Sequence, residues 1–332
     1  MTMAVRDDVL QMIADGDAHP VSGESIAQSL GVSRAAVWKA VKRLQDDGYD
    51  ISGTQNFGYV LDGAYDPMTE QGIIDALPCD VRELVHVTFK QTTGSTNIDA
   101  MELAKAGAPE FSVVVAATQD GGKGRRGRSF FSPKGTGVYL SMLFKPDLTM
   151  MQSSFITCSA AVAVCRALEH VCGVQPSIKW VNDVFVHGRK VCGILTEGAA
   201  DLETGSFSYA VTGIGINVYE PEGGFPESIA GKAGAVMKAV QRNTRNKLAA
   251  EVISQLIRFE HVRMFVSCVE EYKRYSMMQD ARIDVSSADG SIRRGTSIQV
   301  NDDLTLRVAW DDGGFSDLRS EEVSIILREG EK

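Results

Sequence analysis

The sequence predicts an α+β protein of more than one domain, and three observations carry that expectation. The first 62 residues follow a helix, glycine turn, helix, hairpin order; six apolar strand-like segments then run from about 84 to 218 with two long helical stretches set among them; and the last fifty residues alternate in short strands broken by DG, ND and DGG turns. A chain of 332 residues is too long for one ordinary core, so two or three domains are expected, with boundaries at 1–62, 63–278 and 279–332.

Within the first domain VRDDVLQMIADGD reads as an amphipathic helix with Val5, Val9, Leu10 and Ile13 on one side, and SGESIAQSLGVSRAAVWKAVKRLQDDG as two more. Ser22 or Ser25 can cap the first of these, Gly31 makes the turn, and Ser33 offers its hydroxyl to the orphan amides of the next helix. Ala36, Val37, Ala40, Val41 and Leu44 can face the core of that helix. Arg34, Lys39, Lys42 and Arg43 give it four positive charges, with no acid between Ser33 and Leu44. YDISGTQNFGYVLDG then alternates like a small hairpin, where a wing would sit. Residues 1–66 carry five basic and ten acidic side chains, a net −5, so the only strongly basic surface is the helix that would enter a major groove. DNA binding is therefore the expectation, with a solvated helix face or a protein-interaction module as the alternatives. Ser33, Arg34, Lys39, Lys42 and Arg43 are the candidate DNA contacts.

GAYDPMTEQG, with Gly63, Pro67 and Gly72, reads as a linker or the entry to the second domain. LVHVTFK, SVVVAAT, VYLSMLF, SIKWV, KVCGILTE and FSYAVTGIGINV are the expected strands, several apolar on both faces as a helix-covered sheet requires, and 151–171 and 244–276 the expected helical stretches. The tail from about 281 is expected to form a small β-barrel-like cap.

Composition excludes several classes of function. The net charge of −9 argues against a general polyanion binder, although a local basic patch can still act where the sum would not. No run approaches the roughly 18 uninterrupted apolar residues of a membrane span, and MTMAVRDDVLQMI lacks the pattern of a secretory signal, so a cytoplasmic location is expected. The six cysteines show no CxxC pair and no metal spacing, which suits reduced thiols; Cys158, Cys165 and Cys172 recur every seven residues and read as one apolar helix face. The five histidines show no triad spacing, and His187 alone lies beside a motif, as an exposed turn residue.

Chemistry concentrates in four constellations. QDGGKGRRGRSFFSP, Gln119 to Pro133, puts four basic residues and four glycines between two apolar runs: Gly121, Gly122 and Gly124 allow close backbone approach, and Lys123, Arg125, Arg126 and Arg128 can neutralise an anion. It is not a Walker A loop, since FFSP leads into another strand rather than a helix. GSTN, 94–97, offers donors and acceptors for a small polar ring; KWVNDVFVHGRKVCGILTE brings Lys179, Asn182 and Asp183 near Arg189 and Lys190; GIGIN, 213–217, adds a glycine pair and an amide. Singly, these read as a helix cap, a turn and a strand end with a bulge.

Together and in order, GSTN, QDGGKGRRGR, KWVND, GRKVCGIL and GIGIN resemble the biotin protein ligases, and the N-terminal domain extends the resemblance to the bifunctional type that is also a repressor of biotin biosynthesis genes; essentially the whole chain is covered. The resemblance implies a class II synthetase-like central mixed sheet and a C-terminal SH3-like barrel. It implies adenylation of biotin by MgATP to biotinyl-5'-AMP and pyrophosphate, then transfer to one lysine of a biotin carboxyl carrier protein. By the same resemblance Ser95, Thr96, Asn97 and Gln119 surround the ureido ring; Gly122, Gly193 and Gly215 let the ligand lie flat; Lys123, Gly124 and Arg125 close over the adenylate, with Arg126 and Arg128 flanking; and Lys190 meets the biotin carboxylate and the new phosphoanhydride. Lys179, Asn182, Asp183 and Asn217 fall where the family meets phosphates and metal, with no metal site of the protein's own, and Phe130 where an apolar wall stands near the adenylate. The chain departs from the family pattern at three of its positions: Lys123 for the frequent arginine, Val181 for proline, and Phe130 for tryptophan. An adenylate-bound homodimer presenting two recognition helices to operator DNA is the implied second function. The rival readings are a transcription factor that only senses biotin, and an acyl ligase using lipoate.

Overall fold

The computed structural model describes the chain apart from residues 1–2, 17–18, 47–48, 50, 55–56, 62–65, 147, 150–151, 202, 204, 262–267, 288–289, 321–322 and 329–332. Parts of the expected wing and linker, one end of the 151–171 stretch and the middle of the 244–276 stretch thus lie outside the described residues. Two compact units emerge, Met1–Tyr65 and Asp66–Lys332.

In the first unit, α1 (Met3–Asp15), α2 (Gly23–Leu30) and α3 (Arg34–Asp46) precede a hairpin of β1 (Ile51–Thr54) and β2 (Gly58–Leu61). The capping chemistry is local. Ser22 Oγ accepts from the Glu24 amide at 3.2 Å, Gly31 ends α2 at φ 62°, and Ser33 Oγ accepts from the Ala36 amide at 3.2 Å. Val9, Leu10, Ile13, Ile26, Val37, Ala40, Val41, Leu44 and Ile51 form the core. Ala36 lies at its edge, only partly buried. β1 and β2 pair antiparallel from Ile51↔Leu61 to Thr54↔Gly58, and Val21 exchanges both backbone hydrogen bonds with Tyr59 at 2.9 Å, so the wing is tied to the start of α2.

The second unit begins with α4 (Glu70–Ala76) and α5 (Cys79–Arg82), so part of the expected linker is helical: the Thr69 side chain caps α4 by accepting from the Gly72 amide at 3.0 Å. There follow β3 (His86–Lys90), α6 (Thr96–Lys105), β4 (Ser112–Ala116), β5 (Gly137–Phe144), α7 (Ser153–Ala167), β6 (Ser177–Lys179), β7 (Asp183–Val186), β8 (Arg189–Ala200), β9 (Phe207–Asn217), α8 (Glu227–Ala230), α9 (Thr244–His261) and α10 (Val269–Tyr275). Their sheet has the order β3-β4-β5-β9-β8-β7-β6, antiparallel except where β3 and β4 run parallel through α6. The strand at 183–186 and the helix at 96–105 are absent from the sequence expectation; the first is only four residues long and the second has too little apolar periodicity to announce itself.

One face of the sheet packs on α7 and α9. The stretch Ser153–Cys172 is long and apolar enough to cross a membrane, but Ile156, the residues from Cys158 to Cys165, and Ala167 are buried in the core. Cys158 and Cys165 lie in that buried face and Cys172 at its margin, as the seven-residue recurrence predicts. On the other face α6 covers β4, β5 and β9 through a smaller cluster of Ala100, Val114, Leu143 and Val211. The rest of that face belongs to the site.

From Arg282 the chain forms β10 (Arg282–Ser287), β11 (Ile292–Val300), β12 (Leu306–Trp310), β13 (Phe315–Leu318) and β14 (Val323–Leu327), an antiparallel sheet of order β13-β12-β11-β10-β14. Trp180 Nε1 donates to the Leu304 carbonyl at 2.8 Å, which ties this sheet to the central one.

Asp66 opens the second unit as half of a buried ion pair. Its Oδ2 accepts from the Tyr219 hydroxyl at 2.8 Å and the Arg245 amide at 2.9 Å, with Arg245 Nε at 3.4 Å and the Arg245 guanidinium also donating to the Asp66 carbonyl. Removing one partner leaves the other charge buried and uncompensated, at about 3–5 kcal/mol. Asp66→Ala is therefore expected to lower the urea midpoint by that equivalent, and Asp66→Leu combined with Arg245→Met to cost less than the two single changes summed.

Candidate active site

The site face is built by strand register. Side chains alternate along a strand, so residues paired across neighbouring strands share a face. One row runs Lys179, Asp183, Gly193, Gly215, Tyr139, Ala116, and the next Leu195, Gly213, Ser141, Val114. Two facing glycines thus open a flat bed in the middle of the sheet, with a cation and an acid at one end of the row. A bulge between Val184 and Phe185 of β7 pairs Phe185 with Lys190 and leaves Val191 as the extra residue on β8. The bulge resets the alternation. Lys190 then folds back over the bed, its Nζ 2.5 Å from Asp183 Oδ1 and 3.4 Å from where a side chain at Gly193 would begin.

At the α6 end the polar constellation is assembled. Ser95 is buried at the N-cap of α6. The Thr96 amide donates to Gln119 Oε1 at 2.9 Å and its hydroxyl to the same oxygen at 3.1 Å, while Gln119 Nε2 donates to Ser132 Oγ at 2.9 Å. Asn97 Nδ2 donates to Glu197 Oε2 at 2.8 Å, and Ser141 Oγ lies 2.6 Å from Asn97 Oδ1 and 2.7 Å from Thr96 Oγ1. Ser95, Thr96, Asn97 and Gln119 are thus brought together, with Ser141, Ser132 and Glu197 as members that sequence reasoning missed. A serine inside the otherwise apolar run VYLSMLF was the available signal for Ser141.

The basic loop is a flap with a hairpin's hydrogen bonds. Phe130 N donates to the Gly122 carbonyl at 2.8 Å and Gly124 N to the Arg128 carbonyl at 2.7 Å, around a tight turn in which Arg126 (φ 58°) and Gly127 (φ 71°) are left-handed. Gly122 is buried on the flap, where an added side chain would strike the Phe130 carbonyl and crowd Ser132 Oγ and Gln119 Nε2 of the polar cluster. Phe130 lays its ring over Gly193 and Gly215, as an apolar wall. Lys123 and Arg128 are exposed on the flap; Arg125 donates to Asn182 Oδ1 at 3.3 Å and to the Ser320 carbonyl, and Arg126 to Ser324 Oγ at 2.9 Å. The flap is thereby tied to the C-terminal sheet.

The cations converge on the Asp183 end of the row. Lys179 Nζ donates to the Ile325 carbonyl at 2.7 Å. Burial pushes its ammonium below the ordinary lysine range; Asp183 opposes the shift, and Lys190, Arg128 and Lys232 add to it. Lys232 is a further cation that the sequence reading did not select. Asn182 donates to the Ile194 carbonyl at 2.8 Å, and Asn217 to the Gly234 carbonyl at 3.2 Å, which places Asn217 at the edge of the bed beside the segment 231–236. Tyr139, in the bed's own row, has its hydroxyl pushed up to about 12, chiefly by burial, and stays a neutral phenol donating to the Pro133 carbonyl at 3.0 Å. Among the described residues no group of three or more His, Cys, Asp and Glu could hold a metal ion. In the first unit Ser33 stands exposed at the cap of α3, and Arg34, Lys39, Lys42 and Arg43 stand exposed on that helix.

At Gly213 an added methyl would collide with Asn97 Oδ1. Gly213→Ala is expected to break the buried Asn97–Ser141–Thr96 network and lower the urea midpoint by the equivalent of about 1–3 kcal/mol, whereas Gly231→Ala, at an exposed right-handed position (φ −71°) with open space around it, changes it by less than about 0.5 kcal/mol.

Comparison with known proteins agrees with this geometry. Residues 88–217 match the biotin/lipoate A/B protein ligase family, and residues 5–60 a helix-turn-helix domain. The bifunctional ligase/repressor BirA of Bacillus spizizenii is 34% identical over 239 residues, 72% of this chain and 73% of that protein. The protein of the same name from Escherichia coli is 28% identical over 75% of this chain and 74% of its own length. Among solved structures, the biotin protein ligase from Aquifex aeolicus in complex with biotin and ATP shares the fold, with a TM-score of 0.59 at 22% identity over 73% of this chain and 99% of that one. The chain belongs to the biotin/lipoate A/B protein ligase family, as a biotin protein ligase of the bifunctional type with an N-terminal helix-turn-helix domain.

Proposed function

We propose that this chain joins biotin to ATP, forming biotinyl-5'-AMP and pyrophosphate, transfers the biotinyl group to a lysine of a biotin carboxyl carrier protein, and represses biotin biosynthesis genes when the adenylate is bound. The observation that carries the reading is the row across β7, β8, β9 and β5, where a glycine bed has a polar amide and hydroxyl cluster at one side and converging cations at the other.

The chemistry follows from charge. A carboxylate approaching an α-phosphate about 4 Å away is repelled by about 4 kcal/mol at an effective dielectric near 20. Lys190, Arg125, Arg128 and Lys179 offset that repulsion as preorganised charge, and Asp183 holds Lys190 over the bed until a ligand oxygen takes its place. The biotin carboxylate oxygen bonds to α-phosphorus as the bond to pyrophosphate breaks; then the carrier lysine amine attacks the acyl carbon and AMP leaves, so no side-chain nucleophile is needed. Ser95, Thr96, Asn97 and Gln119 hold the ureido ring, Gly122, Gly193 and Gly215 let the rings lie flat, and Lys123 and Gly124 fold over the adenylate. Arg126, Phe130, Asn182 and Asn217 form the nucleotide side. Asn182, Asp183 and Asn217 would supply oxygen donors to a magnesium ion bound to ATP, which would neutralise phosphate charge. Closing the flap excludes water from a reactive acyl phosphate.

The finer architecture belongs to the same reading. Residues 1–62 are taken as a DNA-binding domain with a wing, 63–278 as the class II synthetase-like catalytic domain, and 279–332 as an SH3-like barrel, supported by five antiparallel strands with Ile283, Val285, Leu306 and Val308 buried. The protein acts in the cytoplasm, and the adenylate-bound chain pairs as a homodimer on operator DNA. A gel shift that is indifferent to biotin and MgATP would contradict that coupling.

Pyrophosphate release with MgATP tests the ligase. Release is expected with biotin and not lipoate, followed by labelling of a carrier domain, and Lys190→Ala should slow release by about 10²–10³-fold. Biotin binding without release would leave a sensor rather than an enzyme. The depressed Lys179 ammonium predicts a pH signature as well: above its folded pKa and below the ordinary 10.5 the free protein has shed this proton, and a bound phosphate restores it. Calorimetry in alkaline buffers of different ionisation enthalpy should show proton uptake on nucleotide binding, lost in Lys179→Met.

A further inference from the structure

The basic helix α3 carries one large side chain that its core does not use. Trp38 is 59% exposed, although Val37, Ala40, Val41 and Leu44 around it are buried. It stands in a stripe with Arg34 one turn before and Lys42 one turn after, and this stripe lines a groove of about 870 Å³ closed on its other side by Gly53, Gly58 and Tyr59 of the wing. The wing is held to give that shape: the Tyr59 ring fills the space that side chains at Gly23 and Gly53 would take. Arg34 also lies 3.9 Å from Glu24 on the rim, a long exposed ion pair that a phosphate could displace.

We propose that Trp38 is a specificity residue for duplex DNA, packing its indole face on the C5-methyl of a thymine in the major groove while Arg34 and Lys42 hold the flanking backbone. The proposal rests on the DNA-binding half of the function above and deepens it. Charge complementarity selects the occupant, since four cations and no acid lie between Ser33 and Leu44. Chemistry selects the base: an indole has one donor and a broad apolar face, and the thymine methyl is the apolar feature of the major groove.

The test uses the full chain with biotin and MgATP. A preferred duplex is first selected from a random pool, and each thymine is then replaced by uracil, which removes only the methyl. In the wild type at least one position per half-site is expected to lose about 4-fold in affinity, the worth of one buried methyl. Trp38→Ala should bind the selected duplex more weakly and be indifferent to uracil at that position, while Trp38→Phe retains part of the sensitivity; should the alanine variant unfold, phenylalanine and leucine at 38 give the same comparison. Uracil sensitivity unchanged by the substitutions, or equal weakening on selected and scrambled duplexes, overturns the proposal. A wild type that selects no sequence overturns it together with the DNA-binding reading, and pyrophosphate release distinguishes that failure from loss of the ligase.

Discussion

The antiparallel register of β5, β9, β8 and β7 is the constraint on which the rest of the second unit depends. Because alternation is strict, Ser141, Gly213, Gly215, Gly193 and Asp183 reach one face together, and a slip of one residue would send them all into the helix-covered core. The apolar residues between them fix the register: Leu140, Ile214, Ile216 and Cys192 point the other way and are buried there. Folding energy and site geometry are therefore the same choice of pairing.

The cations set the site's electrostatics. Lys179, Lys190, Arg125 and Arg128 repel one another, and the chain tolerates their company by giving three of them a local acceptor: Asp183 for Lys190, the Ile325 carbonyl for Lys179, Asn182 and the Ser320 carbonyl for Arg125. Those acceptors include two from the C-terminal sheet and its flanking turn, so the flap, the central sheet and the C-terminal strands share the field that an anionic ligand would meet. A ligand oxygen that replaces Asp183 at Lys190 exchanges one ion pair for another, which keeps the cost of opening the pair small.

Much of this was legible in the sequence because chemistry-bearing residues stand in short contiguous motifs. GSTN, the glycine-arginine loop, KWVND and GIGIN each mark one edge of the bed, and the caps Ser22 and Ser33 frame the helix-turn-helix through single side chains. What was not legible depends on pairing between distant strands. Glu197 meets Asn97 a hundred residues away, and the bulge that turns Lys190 inward is invisible until β7 and β8 pair. The single 244–276 stretch resolves into α9 and α10, and the short β7 carries no periodic signal over four residues.

The most direct measurement of the central claim is a crystal structure of the chain with a non-hydrolysable biotinyl-adenylate analogue. The account predicts the phosphate oxygen within hydrogen-bond distance of Lys190 Nζ, Asp183 displaced from that nitrogen, and the ureido ring against Thr96, Asn97 and Gln119. A ligand seated elsewhere, with the Lys190–Asp183 pair intact, would contradict it.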